Sequence, residues 1–376
     1  MLSLILAVLL DANAITRPAV TEIKPFRLLV YQNTVDVPSF AFAADGLYEY
    51  LGTPDGLLRA RRLRTANSLD PIGFAGEQIN NLYVDPSTLY VQPGGQTRVT
   101  SPDRTLIRSF DHGQTFQPID SNLRDCSSGP CEYLVGHDID VPAYGAILTE
   151  QGGNLLATRN DGATWNILYG VPVAGQPAAQ VCPLVFERVG QRVVMGGECP
   201  LDAGFLRWGD LTPDFLAWAT IPQESFVADL GNRNVQFIRE VQSGSIFAGV
   251  EGGLLKSTDG GRSFGWSLKY ELDAVRYPYI RHFVQPAGFP SLIIIGGFDK
   301  VNSSAYLAYS NDEGVTWRDV SALVPQPDEG EEGGISMLAQ DLDTRVIAIY
   351  RNGDLYQIAE LEIGDEPRGR RRAVRR

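Results

Sequence analysis

No stretch of this sequence sustains the 3.6-residue apolar period of a long helix. Charged residues are sparse, at 20% of 376 positions, while glycine (39) and proline (23) are plentiful. Many turns and few long helices follow. No apolar run approaches the roughly 20 residues of a membrane-spanning helix. The four cysteines form no C-x-x-C pair, which disfavours a zinc knuckle. The three histidines support no Ser–His–Asp set, and no glycine-rich phosphate cradle opens a helix.

Net charge is −13, and the tail from Arg368 to Arg376 holds six arginines and no acid. Removing those six cations leaves −19 on the remainder. So acidic a body excludes nonspecific nucleic-acid binding by the folded part. The tail (364–376) reads as a solvated, disordered end that can touch anionic surfaces. At the other terminus, "MLSLILAVLLDANA" combines a short apolar run with a small-x-small site after Ala14. Residues 1–14 are expected to be a secretory signal peptide, although no basic residue precedes the run. A secreted, periplasmic or cell-surface location follows, and a monomer is expected.

Export suits the cysteines. Cys126 and Cys131 bracket a turn-forming "SSGP", and Cys182 and Cys199 flank a predicted hairpin turning near Gly190. Two local disulfides, 126–131 and 182–199, are the expectation.

What the sequence has instead of helices is a repeat. "SFDHGQTF" (109–116), "TRNDGATW" (158–165), "STDGGRSF" (257–264) and "SNDEGVTW" (310–317) share the pattern [ST]-x-[DN]-x-G-x-[TS]-[WF]. Their starts lie 49, 99 and 53 residues apart, which implies an eroded copy near position 208. Lead-ins such as "GGLLKS" (252–257) recur as "DGLLRA" (55–60) and "NGDLYQI" (352–358) without a motif after them. Seven units of about fifty residues result. Each alternates short β-rich runs with tight glycine turns, three strands before the motif and one after it. This grammar predicts an all-β, seven-bladed β-propeller over residues 15–363. The last unit lacks a fourth strand, and "PFRLLVYQ" (25–32) is in surplus at the N-terminus. The surplus strand is expected to complete the last blade and close the ring.

The motif explains itself as a turn. Asp111, Asn160, Asp259 and Asp312 can accept bonds from their own turn, the glycine supplies a positive φ, and Trp165 or Trp317 supplies a ring to bury. A calcium loop is excluded, because its further acidic ligands are missing. The four copies resemble the Asp-box, or BNR, repeat found in sialidases, two-propeller xyloglucanases, sortilin-type receptors and photosystem II assembly factors. The resemblance spans about residues 40–360. It implies the propeller fold but no single function, because those relatives include hydrolases and non-enzymatic binders.

A sialidase-like site would need three arginines for a carboxylate, a Tyr–Glu pair and an acid. Phe26-Arg27-Leu28-Leu29 only partly matches the expected N-terminal arginine signature, lacking its proline. Inner-strand candidates for the channel mouth are Arg239, Glu240, Arg281 and His282, with Tyr277 and Tyr279 beside them as possible sugar-stacking rings. Inter-blade salt bridges account for the same charges. His112 is expected to be solvated within its motif. His137 with Asp138 and Asp140 reads as a polar turn rather than a metal site. The expectation is therefore a binding or assembly scaffold without catalysis, cofactor or metal, with a protein or glycan ligand. A glycoside hydrolase is the alternative.

Overall fold

A computed structural model describes residues 27–35, 41–66, 69–85, 88–93, 106–119, 139–140, 147–151, 154–160, 162–164, 166–169, 184–199, 203–210, 217–220, 230 and 233–363. The expected signal peptide, the arginine tail, Cys126, Cys131, Cys182, Trp165, His137 and Asp138 lie outside the described residues. The strand Arg192–Cys199 is described, but the Cys199 side chain is not.

The chain folds as an all-β propeller of antiparallel sheets. The described strands form seven four-stranded sheets. In chain order these occupy residues 41–73, 79–118, 139–169, 184–220, 235–269, 278–319 and 333–362, called sheets 1 to 7 below. Within sheets 1 to 6 the strand order follows the sequence. Sheet 7 is different: strand Arg27–Val35 lies outermost and pairs antiparallel with Leu355–Glu362, with Arg27 opposite Glu362 and Val35 opposite Tyr356. Apart from that added strand, the first strand of each sheet in the chain is its inner one. Inner strands neighbour each other from sheet 4 through 5, 6, 7, 1 and 2 to 3. No helix among the described residues is long and apolar enough to cross a membrane.

Sheets of this kind bury both faces. The second strands Glu49–Thr53 and Ile246–Val250, and the third strand Ser304–Ser310, are buried at every position. Continuous apolar runs such as "IFAGV" therefore replace an alternating pattern. Glycines let neighbouring sheets approach. A Cβ on Gly52 would lie 2.7 Å from Ile79 of sheet 2, and one on Gly296 would lie 3.0 Å from Ile335 of sheet 7. Sheets 7 and 1 share a core of Leu51, Ala60, Leu63, Met337, Ile347, Ile349 and Ile358. Glu49, buried beside it, accepts bonds from the amides of Leu342 (3.1 Å) and Leu63 (2.7 Å).

The repeated motif connects the third and fourth strands, as its sequence implies. In "SNDEGVTW" the Asp312 carboxylate accepts from the Thr316 amide (2.8 Å), the Thr316 hydroxyl (2.6 Å), the Val315 amide (3.1 Å) and the Ser310 hydroxyl (2.7 Å). The Gly314 amide donates to Ser310 Oγ at 2.7 Å. Asp111 and Asp259 repeat this network. Asn160 keeps it with one polarity reversed, since its Nδ2 donates to Thr164 Oγ1 at 2.8 Å. Burial alone would raise the Asp312 pKa, but these donors outweigh it and hold the group below the usual carboxylate range.

Two consecutive left-handed residues make the turn, where the sequence suggests one. His112 and Gly113 have φ of 59° and 79°, and Glu313 and Gly314 have 56° and 81°. This double reversal folds the motif onto the preceding sheet. A Cβ on Gly314 would meet Phe247 of sheet 5 at 2.8 Å, and one on Gly261 would meet Val194 of sheet 4 at 2.3 Å. The Trp317 indole N–H reaches back to Ser267 Oγ at 3.0 Å.

Replacing Asp312 by alanine strands several donors, and a loss of about 2 kcal/mol is expected. Asp312→Asn should cost less than half as much, because Asn160 already fills this role. Urea-unfolding midpoints of the two variants check the ranking.

Candidate binding site

The inner strands of sheets 5 (Val235–Glu240) and 6 (Pro278–Val284) carry most of the residues singled out from sequence. All inner strands run toward the face that holds the motif turns, here the motif face. Their starting ends, with the turns between second and third strands, make the loop face.

Arg239 and Glu240 close their strand at the motif face. Arg239 Nη1 lies 3.6 Å from Glu187 Oε2 of sheet 4 and donates to the Ile238 carbonyl at 2.7 Å. The other Glu187 oxygen accepts from the Glu240 amide at 3.1 Å. Glu187 thus ties sheet 4 to sheet 5. Burial pushes the Glu240 carboxyl pKa up. The Gln242 amide donates to Gln285 Oε1 at 2.9 Å, so the inner hairpins of sheets 5 and 6 end side by side.

Arg281 and His282 sit midway along the neighbouring strand. Arg281 occupies the register irregularity between Ile280 and His282 and is exposed. Its guanidinium carbon lies 5.9 Å from the centre of the Tyr279 ring. His282 is directed to sheet 7 and hydrogen-bonds the Ile335 backbone. Desolvation, reinforced by the Arg281 charge, lowers its pKa to about 4, so the ring is neutral at pH 7.

Tyr277 and Tyr279 lie at the opposite end of the strand, on the loop face. Their rings meet edge-on, 6.0 Å between centres. Tyr277 is buried. Its hydroxyl is 3.5 Å from the Glu251 carbonyl, and burial raises its pKa. Arg233, also buried, stacks between Trp266 (4.9 Å) and Tyr277 (5.6 Å) and donates to the carbonyls of Tyr270 (3.1 Å) and Gly252 (3.4 Å). Tyr279 is half-buried, with the Lys300 ammonium 5.6 Å from its ring centre. A hydrogen bond to Tyr279 leads the causes that raise the Lys300 pKa.

The candidates therefore divide. Tyr277, Tyr279 and Arg281 share one wall with Lys300 and Arg233. Arg239 and Glu240 belong to a contact between sheets at the other end. Arg233, Trp266 and Lys300 were not anticipated from the sequence. Arg233 and Lys300 sit in connecting segments, where the repeat pattern carries no information.

The motif face holds further polar clusters. His112 is not simply solvated: its Nδ1 lies 2.6 Å from Asp45 Oδ2 of sheet 1. The positive φ of His112 swings it onto that sheet. Asp45 also accepts from the Tyr50 hydroxyl and from the amides of Leu47 (3.0 Å) and Tyr48 (2.9 Å). Burial opposes its ionisation, but these donors prevail and lower its pKa. Glu313 occupies the same motif position in sheet 6. It meets the Ser243 hydroxyl and the Lys256 ammonium (3.7 Å) of sheet 5. Arg59 and Lys256, at the same lead-in position, donate to the carbonyls of His112 (2.6 Å) and Glu313 (2.7 Å). These clusters join neighbouring sheets. No group of three or more potential metal ligands (His, Cys, Asp or Glu) occurs among the described residues.

No protein-family model matches the chain. No curated protein matches it either. Solved structures do. The extracellular domain of BT4673 from B. thetaiotaomicron, designated a hybrid two component system, superposes with a TM-score of 0.59 at 12% identity, covering 91% of this chain and 40% of that one. The corresponding domain of BT3049 gives 0.55 at 12% identity, covering 89% and 42%. The chain thus spans under half the length of these two neighbours. A chain of the Mitotic Checkpoint Complex gives 0.57 at 11% identity, covering 97% of this chain and all of that one. At such identities the similarity establishes the fold alone.

His282 gives a pH prediction. Its folded pKa lies below its unfolded value of about 6.5, so the unfolded chain binds the extra proton. The stability tied to the neutral ring is present above pH 6.5 and is lost as pH falls toward 4. About 2 kcal/mol should disappear between pH 7 and 5. Chemical denaturation at both pH values should show this loss in the wild type and a loss smaller by that amount in His282→Gln.

Proposed function

We propose that the chain is an exported, non-catalytic binding or assembly scaffold. On this reading it is a seven-bladed Asp-box propeller, its ring closed by strand Arg27–Val35 in the last blade, and it takes its ligand on the loop face. The pairing of that strand with Leu355–Glu362 and the shared core of sheets 7 and 1 support closure. The leader-like N-terminal sequence supports export, and so do the extracellular domains among the structural neighbours. A protein is the favoured ligand class, the folded body does not bind nucleic acid, and the protein acts as a monomer.

One observation carries the binding assignment. Arg239 is engaged by Glu187 between sheets, whereas Tyr279 remains half-buried with the exposed cations Arg281 and Lys300 beside its ring. This leaves a contact surface on the channel side.

A screen with fluorogenic glycosides, sialosides included, tests the assignment. No turnover above buffer is expected. Turnover that disappears in Arg281→Ala and Tyr277→Phe would overturn the scaffold reading.

A further inference from the structure

Among the described residues, four successive junctions on the motif face are clasped alike. A side-chain oxygen of one sheet accepts a backbone amide from the inner hairpin of its neighbour. Between sheets 5 and 6, Gln285 Oε1 accepts from Gln242 at 2.9 Å. Between sheets 6 and 7, Gln340 Oε1 accepts from Ala287 at 3.1 Å. Both acceptors are neutral amides. Between sheets 4 and 5 the acceptor is the Glu187 carboxylate, which is part-exposed and has Arg239 3.6 Å away. Between sheets 7 and 1 it is Glu49, which takes the Leu342 amide at 3.1 Å. Glu49 is only 1% exposed. Since a neutral side chain does the same work at two junctions, the clasp itself requires no charge here.

No cation is reserved for Glu49. Arg62 acts on its charge but is itself paired with Asp343 at 3.0 Å. Arg345, on the turn that carries Leu342, is paired with Glu360. The same turn brings a second carboxylate, Asp341, which is 5% exposed and whose charge opposes that of Glu49. Asp341 Oδ1 accepts from the amides of Asp343 (2.9 Å) and Arg345 (2.8 Å), so the turn holds it in place. Two buried carboxylates thus act on each other where the first and last sheets meet. A buried charge without a dedicated partner is costly, and protonation removes it. Burial first, and then the Asp341 charge, raises the Glu49 pKa; the amides of Leu63 and Leu342 and the Arg62 charge oppose this and are outweighed.

We propose that Glu49 makes the junction of sheets 7 and 1 tighten in acid and loosen as pH rises. One proton taken up by Glu49 removes the buried charge and its repulsion from Asp341, and the carboxyl group still offers an oxygen to an amide. Release of that proton restores both costs. The folded junction holds the proton more tightly than the unfolded chain does. The stability it brings is therefore full below the unfolded carboxylate pKa of about 4.3 and is lost as pH rises through the folded value. The sign is opposite to that of His282, whose contribution is lost as pH falls. Loosening weakens the cover of the core these two sheets share, which includes Leu51, Met337 and Ile347. The glutamine junctions on either side of sheet 6 carry no such proton and stay closed.

Hydrogen exchange of the full chain, read by mass spectrometry at pH 5 and pH 8 and corrected for the intrinsic pH dependence of exchange, tests this. Protection of strands Glu49–Thr53 and Val346–Asn352 should be lower at pH 8 by about threefold or more. Strand Ile293–Asp299 of sheet 6 should keep its protection. Glu49→Gln installs the side chain type used at the two neutral junctions and should abolish the difference. Asp341→Asn keeps the oxygen that accepts both amides and should shrink it. No difference in the wild type, or protection that rises with pH, overturns the proposal. So does a difference that survives in Glu49→Gln. If Glu49→Gln loses protection in every sheet, Asp341→Asn decides: an undiminished difference overturns the proposal and a smaller one upholds it.

Discussion

Everything in this fold depends on each sheet covering its neighbour. A four-stranded sheet with both faces apolar cannot stand alone in water, and burial of each large aliphatic or aromatic side chain is worth roughly 1.5–3 kcal/mol. Tyr50, Tyr306 and Tyr350 are fully buried, as are Phe247 and Leu57. Such side chains find cover only if sheet follows sheet without a gap. The glycines at 52 and 296 set how closely the sheets approach, because each receives a β-branched side chain of the next inner strand. The motif turns hold that spacing at the periphery. Each ties itself with a side-chain carboxylate or amide, then lies back against the sheet before it.

The same constraint sorts the polar residues. On the motif face, side chains that look reactive in isolation join adjacent sheets. Asp45 with His112, Glu313 with Lys256, and Glu187 with Arg239 are of this kind. A buried or half-buried charge is stable only with a partner, and here the partner belongs to the next sheet. The loop face is under less demand. Its connections and turns need only link strand to strand, so they are free to present Leu272, Val275 and Lys300 outward.

Much of this was legible in the residues. The motif spacing, the lead-ins and the surplus N-terminal run indicated repeated four-stranded units, because turn chemistry is local: Ser310, Asp312, Gly314 and Thr316 satisfy one another within seven residues. Less legible was anything decided across a sheet boundary. His112 read as solvated, since nothing near it in sequence reveals that Asp45, 67 residues earlier, lies beneath it. Arg239, Glu240, Arg281 and His282 read as one cluster, because adjacent inner strands were expected to share a mouth. Pairing instead turns Arg239 toward sheet 4 and His282 toward sheet 7. Lys300 and Arg233 escaped notice because both lie in connections where the fold imposes no pattern.

Mutual cover among sheets is tested most directly by removing the strand that joins the chain's two ends. Deleting residues 1–35 takes away the partner of Leu355–Glu362 and leaves a three-stranded last sheet beside sheet 1. Urea denaturation of this truncated chain, followed by tryptophan fluorescence, should show loss of the cooperative transition or a large fall in its midpoint. A sharp transition at the wild-type midpoint would contradict the account.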